Sequence, residues 1–170
     1  CFHISFVNNI IIIYIMATLP ERELELVRNA IELVGKKEGK RVVESPEIKQ
    51  IIDIVENFLR SKKVICYGGT AINNILPVED QFYDKTIEIP DYDFFSPYAM
   101  EYARDLANIY YKAGYEEVEA KSGQHHGTYK VFVNYIPVAD LTTLHKGIYN
   151  AIKKDAIRVG GILYTPPNYL

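Results

Sequence analysis

The sequence predicts an α/β (α+β) fold, a mixed sheet flanked by helices and preceded by a helical N-terminal segment. Three observations predict it. Two stretches between Pro20 and Arg60 repeat apolar residues at helical spacing. After them, apolar runs of strand length alternate with helical patterns in the order strand, helix, strand, helix. Beyond Gly114 the pattern turns to alternation in EEVEA, TYKVFVNY and PVADLTT, which read as further strands of the same sheet. At 170 residues, 48% hydrophobic and 24% charged, the chain can bury one sizeable core.

Residues 1–15, CFHISFVNNIIIIYI, are apolar but have no initiator Met, basic flank or small-residue cleavage site. They are also shorter than the roughly 18–20 residues that span a bilayer. They read as a leader foreign to the fold, with a short membrane-interacting anchor as the rival reading. Residues 16–62 are expected to form the helical segment and 63–170 the catalytic domain. In the first helix Leu24, Val27, Ile31 and Val34 share one stripe, and Gly35 with its lysines closes the pattern. Ser45 as N-cap and Pro46 at the first helical position open a second helix, with Ile48, Ile51, Ile52, Val55, Phe58 and Leu59 on its apolar face.

Val64 to Tyr67 reads as a strand that stops at Gly68-Gly69, where Thr70 caps a brief helix ended by Pro77. An irregular connection leads into a strand from Asp91 to Phe95. A helix then starts at Ser96-Pro97 and stops at Gly114. After the loop KSGQHHG and the two strands that follow it comes a helix, GIYNAIKKDA, and then a hairpin around Gly160-Gly161.

A net charge of -3 gives no overall basic footprint, so any nucleic-acid contact must come from a local patch. Cys1 and Cys66 define no disulfide framework, and His3, His125, His126 and His145 lack zinc-type spacing with them. A reducing intracellular compartment follows.

Asp91 and Asp93 stand two apart on the expected strand, so both project from one face among apolar neighbours. In the later strand Val138, Asp140 and Thr142 share one face, with Ala139 and Leu141 on the other, so Asp140 can meet the first two acids across the sheet. Three acids around two Mg²⁺ (or Mn²⁺) ions suit in-line phosphoryl chemistry. Gly68 and Gly69 permit close approach of backbone to ligand, and the helix behind them offers unpaired N–H groups to a triphosphate. An isolated Asp-x-Asp pair or Gly-Gly-Thr turn is a weak signal, but the ordered combination is specific.

The stretches YGGTAINNILP, QFYDKTIEIPDYDFFSP, AGYEEVEAKSGQHHGTYKVFVNYIPVADLT and VGGILYTPPNYL resemble the poly(A) polymerase catalytic subunit of large cytoplasmic DNA viruses. That family lies in the DNA polymerase β-like nucleotidyltransferase superfamily, and the resemblance covers roughly Val64 to Leu170. It implies a nucleotidyltransferase palm in which Gly68, Gly69 and Thr70 form the triphosphate-binding turn. Asp91 and Asp93 would be the metal pair and Asp140 the third catalytic and metal-binding carboxylate. It implies ATP as substrate, an RNA 3′ end as acceptor, and a further C-terminal domain. A homo- or heterodimeric partner subunit, no membrane, and a cytoplasmic location in a viral factory or virion are also expected. The alternatives are another nucleotidyltransferase acting on tRNA, protein or a small molecule, or an inactive nucleotide- or RNA-binding scaffold.

Secondary candidates are His125 and His126 for positioning nucleotide or primer and Lys130, after Thr128, for a phosphate. Lys146, Lys153, Lys154 and Arg158 form a basic tail that could follow an RNA backbone. Each has a plainer reading as solvated surface. Cys66 reads as a small buried apolar residue.

Overall fold

A computed structural model of the chain describes residues 20–170, so the leader assigned to residues 1–15 lies outside the described residues. Helix α1 (Glu21–Glu44) runs through Gly35 rather than stopping there. A glycine inside a helix costs only about 1 kcal/mol relative to alanine, and the residues after Gly35 are strong helix formers. The stop comes at Ser45, whose extended backbone (ψ 139°) breaks the helix and whose Oγ accepts from Ile48 N at 3.3 Å to open α2 (Pro46–Lys62). Of the expected stripe on α1, Leu24 and Val27 are half-buried, but Ile31 and Val34 are exposed.

The sheet comprises β1 (Ile65–Tyr67), β2 (Tyr92–Ser96), β3 (Val118–Ser122), β4 (Thr128–Val133), β5 (Ile136–Thr143), β6 (Ile157–Val159) and β7 (Ile162–Tyr164). Their spatial order is β3-β4-β5-β2-β1-β7-β6, with β2–β5 and β1–β7 parallel and the other pairs antiparallel. Helix α3 (Gly68–Ile75) follows β1, α4 (Ala99–Lys112) follows β2, and α5 (Lys146–Asp155) follows β5.

One face of the sheet carries the main core. Phe94, Leu141, Val131 and Val133 pack there against Ile51, Val55, Phe58 and Leu59 of α2 and Leu106 and Tyr110 of α4. The buried Tyr110 hydroxyl donates to Ile51 O at 2.7 Å, which ties the two helices together. Because α2 shares this core, the packing draws no line at residue 62/63. On the other face α5 buries Tyr149 and Ile152 against Ile65, with Phe95 and Leu144 at the margin. That second cover stops near Phe95, so the start of β2 is left open on this side.

Two turns depart from expectation. TYKVFVNY is not one strand: β4 ends at Val133, and Asn134 and Tyr135 (φ 48° and 65°) form a tight hairpin turn into β5. The register also shifts between Val131 and Phe132, leaving Val138 as the extra residue of a bulge. Val138 therefore joins Ala139 and Leu141 in the main core, and only Asp140 and Thr142 keep the open face assigned to all three. The IRVGGILY hairpin forms as expected, with Gly160 and Gly161 at φ 58° and 83°.

Candidate active site

Asp93 lies in β2 and is the register partner of Asp140 in the parallel neighbour β5, so the two side chains emerge on one face about 4.8 Å apart at the backbone. Asp91 stands one residue ahead of β2 rather than inside it. The same cross-strand row continues to Lys130 opposite Asp140, to Lys121 opposite Lys130, and on the other side to Tyr67 opposite Asp93. Lys130 Nζ is ion-paired with Asp140 Oδ2. A file of hydroxyls lies alongside: Tyr67 Oη to Thr142 Oγ1 at 2.8 Å, and Thr142 Oγ1 to Thr128 Oγ1 at 3.0 Å. Tyr67 is fixed by stacking on Phe95, ring centroids 3.9 Å apart.

The glycine bend meets this row. Gly68 has φ +75°, and a Cβ there would fall 2.7 Å from Asp93 Oδ2, so both the backbone and the acid demand glycine. Gly69 meets a different neighbour, since its Cβ would fall 2.5 Å from Tyr83 Oη. Helix α3 starts at Gly68 with no side-chain cap, so Thr70 is not the cap expected of it. Its hydroxyl donates instead to Asp91 O at 2.5 Å, fixing the backbone of the first acid. Asn73, buried on α3, accepts from Phe82 N at 2.7 Å and Tyr83 N at 2.8 Å and so anchors the irregular connection between α3 and β2. Asn73→Leu should strip two backbone donors of their acceptor and cost about 2–4 kcal/mol of stability, measured by urea unfolding; an unchanged midpoint would refute the anchor.

Asp91 and Asp93 are both raised, by burial first and by neighbouring carboxylates second. Burial, then Asp91 and Asp140, push the Asp93 carboxyl up from 3.8 to about 6, with Lys130 opposing. Asp91 is raised by partial burial and by Asp140, again against Lys130. Burial above all, with Asp93 and Asp140 adding to it, lifts the Tyr67 phenol above its ordinary range. Between the unfolded value of 3.8 and the folded value of about 6, the fold holds a proton that the unfolded chain has lost. Stability therefore falls as pH rises through that window and stays lowered above it. Without added metal, Asp93→Asn should melt a few degrees above wild type at pH 8 and level with it near pH 4. A difference that is the same at both pH values would contradict this origin.

Three carboxylates fit Mg²⁺ or Mn²⁺ by the hardness of their oxygens, and their mutual repulsion is what a divalent cation relieves. Asp140 is turned towards Lys130, and among the described residues no three His, Cys, Asp or Glu side chains are drawn together as a metal-holding group. For Asp140 to give both its oxygens to a cation, Lys130 would have to release Oδ2. The acids lie between two clefts. One, of about 550 Å³, is lined by Lys121, Gln124, His125, Thr128, Lys130 and Asp140. The other, of about 100 Å³, reaches from Asp91 and Thr70 to Asn73, Tyr83 and Lys85. His125 faces the larger cleft, whereas His126 is exposed and does not line it. Cys66 is buried in the core, where burial pushes its thiol far up and makes it inert. Lys146 and Lys153 border a separate cleft on α5, which Lys154 and Arg158 do not line.

Tyr67, Thr142, Asn73 and Tyr83 stand in or beside the candidate site and were not singled out from the sequence. Asn73 had a visible signal, a polar residue on the buried stripe of a short helix. Tyr67 and Thr142 had none, because their meeting depends on strand order.

A family model described as poly(A) polymerase catalytic subunit matches residues 53–170. A relative from Acanthamoeba polyphaga mimivirus, named for a poly(A) polymerase catalytic subunit, is 35% identical over 127 residues, 73% of this chain and 21% of the relative. One of the same name from African swine fever virus (isolate Tick/Malawi/Lil 20-1/1983) is 31% identical over 137 residues, 81% of this chain and 28% of the relative. The crystal structure of the Megavirus polyadenylate synthase superposes with a TM-score of 0.77 at 30% identity, covering 89% of this chain and 31% of that one. The chain thus spans about a fifth to under a third of these relatives' length. With the seven-stranded sheet, the glycine bend and the row of acids already in view, the match over more than two thirds of its residues shows that the chain belongs to the poly(A) polymerase catalytic subunit family, with that family's nucleotidyltransferase fold.

Proposed function

We propose that the protein containing this chain transfers adenylate from ATP to an RNA 3′ end. The observation that carries this reading is the pairing of Asp93 with Asp140 across β2 and β5, with Asp91 near enough for its charge to act on Asp93, beside the uncapped start of α3. These three acids would hold two divalent ions, Mg²⁺ or Mn²⁺, which when bound offset the charge gathering on the reacting phosphate and the departing pyrophosphate. The chain's own residues provide position. Gly68 and Gly69 keep side chains out of the bend, so that triphosphate oxygens can approach the free N–H groups of the first turn of α3. Thr70 holds Asp91 in place, and Lys130, once off Asp140, is free to meet a phosphate. The hydroxyl oxygen of the acceptor bonds to the α-phosphorus as the bond to pyrophosphate breaks, and its proton leaves to solvent. No covalent link to the protein is needed.

The ion pair between Lys130 and Asp140 favours a second reading, an inactive nucleotide- or RNA-binding scaffold in which that lysine stands permanently in for a cation. Primer extension with each of the four nucleotides and Mg²⁺ or Mn²⁺ separates the two. ATP-dependent lengthening of RNA supports the transferase. Extension of tRNA or of a small acceptor alone would move the activity elsewhere in the superfamily, and no incorporation despite nucleotide binding would leave the scaffold. For the transferase we place the work in the cytoplasm of an infected cell, beside a second copy or a partner subunit. Among the described residues no helix is long and apolar enough to cross a membrane.

A further inference from the structure

Away from the acids, at the far end of β2, lysines from two distant parts of the chain converge. Lys62 ends α2, while Lys146 and Lys153 stand seven residues apart on one face of α5, and all three line one cleft of about 140 Å³. Lys63 is close enough for its charge to act on Lys153, whose ammonium loses affinity for its proton through burial first and this neighbour second. Of the three lining lysines, Lys62 alone is paired with a carboxylate among the described residues, Asp105 at 2.7 Å. In a chain of net charge -3, this is a local gathering of positive charge in which Lys146 and Lys153 have no carboxylate partner among the described residues.

The cleft is also aromatic. Tyr98, Tyr102 and Tyr149 line it with Asn150. Lys62 Nζ lies 4.6 Å from the centroid of the Tyr102 ring and Lys153 Nζ 5.2 Å from that of Tyr149, so two rings are already engaged in holding ammonium groups. The third, Tyr98, is 47% exposed and can take a flat partner. Cations for phosphates with an open ring for a base is the chemistry that holds single-stranded nucleic acid. Ser96, at the rim, is three residues along β2 from Asp93, about 10 Å of extended strand.

We infer that the cleft between α2, α5 and the start of α4 is a second contact site for single-stranded RNA, holding phosphates with Lys146 and Lys153 and a base on Tyr98. It rests on the RNA-directed reading above and adds to it the place where the acceptor strand is gripped upstream of its reacting end. The basic tail suggested by the sequence is thereby reduced to two of its four members and gains Lys62 from α2.

The test uses the protein containing this chain with labelled ten-nucleotide oligo(A) and oligo(U), followed by fluorescence anisotropy across a salt series, with duplex RNA and inorganic phosphate as competitors. K146Q/K153Q should weaken single-strand binding about tenfold and flatten its salt slope by about 0.7 per lysine. Tyr98→Ala should weaken binding with no change of slope, and K146R/K153R should restore it. AMP incorporation onto a dinucleotide acceptor too short to reach the cleft should be unchanged in all of them. Wild-type binding that the double variant leaves intact overturns the inference, and so does competition by duplex RNA or phosphate as effective as by single strands. Loss of binding in K146R/K153R as well assigns the effect to altered packing and also overturns it. Failure of the wild type to add AMP to the ten-nucleotide RNA as well, with RNA binding weakened in K146Q/K153Q and Tyr98→Ala and kept in K146R/K153R, would instead sink the transferase reading and leave the RNA site standing.

Discussion

Asp93→Ala in the protein containing this chain should reduce metal-dependent AMP incorporation on the order of 10³-fold or more. Asp93 stands at the centre of the row, between Asp91 ahead of it in the chain and Asp140 beside it on β5. It is also the acid most disturbed by its surroundings, held up to about 6. A carboxylate held up first by burial and then by two like charges is where a cation returns most, and its removal leaves the neighbouring acids without a shared ligand. The fold should survive, because Asp93 lies on the open face of β2 while Tyr92 and Phe94 carry the strand into the core. Circular dichroism and thermal melting provide that control, with Asp53→Ala on the exposed side of α2 as the neutral comparison. Wild-type incorporation by Asp93→Ala would remove Asp93 from the reaction.

Gly68→Ala should have the next largest effect, a drop in incorporation of about 100-fold with a stability loss of about 1–2 kcal/mol. Two separate penalties meet at this position. The backbone at φ +75° is one that L side chains avoid, and the added methyl would press within 2.7 Å of Asp93 Oδ2, moving the carboxylate or the bend. Gly114 separates the two. At φ +97° it carries the backbone penalty, yet nothing lies within 4 Å of its absent Cβ. Gly114→Ala should therefore lose comparable stability and keep its activity. Gly69→Ala should be milder than Gly68→Ala, since it would meet the tip of the Tyr83 side chain, which can swing aside. Equal losses of activity in Gly68→Ala and Gly114→Ala would show that the bend matters only for folding.

The elements legible in the sequence were those whose signals are local. Ser45-Pro46 announced α2 because a cap and a fixed φ act within one turn, and Gly160-Gly161 announced the last hairpin because its turn needs two positive φ angles. Gly35 misled for the same reason, since a local breaker was outweighed by the helix formers around it. The bulge at Val138 and the turn at Asn134-Tyr135 were hidden because each depends on how β4 pairs with β5, and alternation alone assigns Val138 to the wrong face.

The candidate site divides along the same line. Gly68, Gly69, Asp91, Asp93 and Asp140 could be picked out as candidates from chemistry and spacing, but the approach of Asp140 to Asp93 rests on β5 lying parallel beside β2 in a register that pairs them. Thr70 shows the limit. A threonine after two glycines suggests a cap, whereas its hydroxyl reaches Asp91 O, twenty-one residues on, because the chain returns past α3 before β2 begins. Lys130 could be singled out as a charge beside the site, but not as the partner of Asp140, a contact made only across strands.

The most direct test is a crystal of the protein soaked with Mn²⁺ and a non-hydrolysable ATP analogue, read by anomalous scattering. Two manganese peaks should lie about 2.0–2.2 Å from oxygens of Asp91, Asp93 and Asp140, with Lys130 drawn off Asp140 towards the nucleotide phosphates and the triphosphate against Gly68 and Gly69. Nucleotide bound with the Lys130–Asp140 pair intact, and manganese absent from all three acids, would contradict the account.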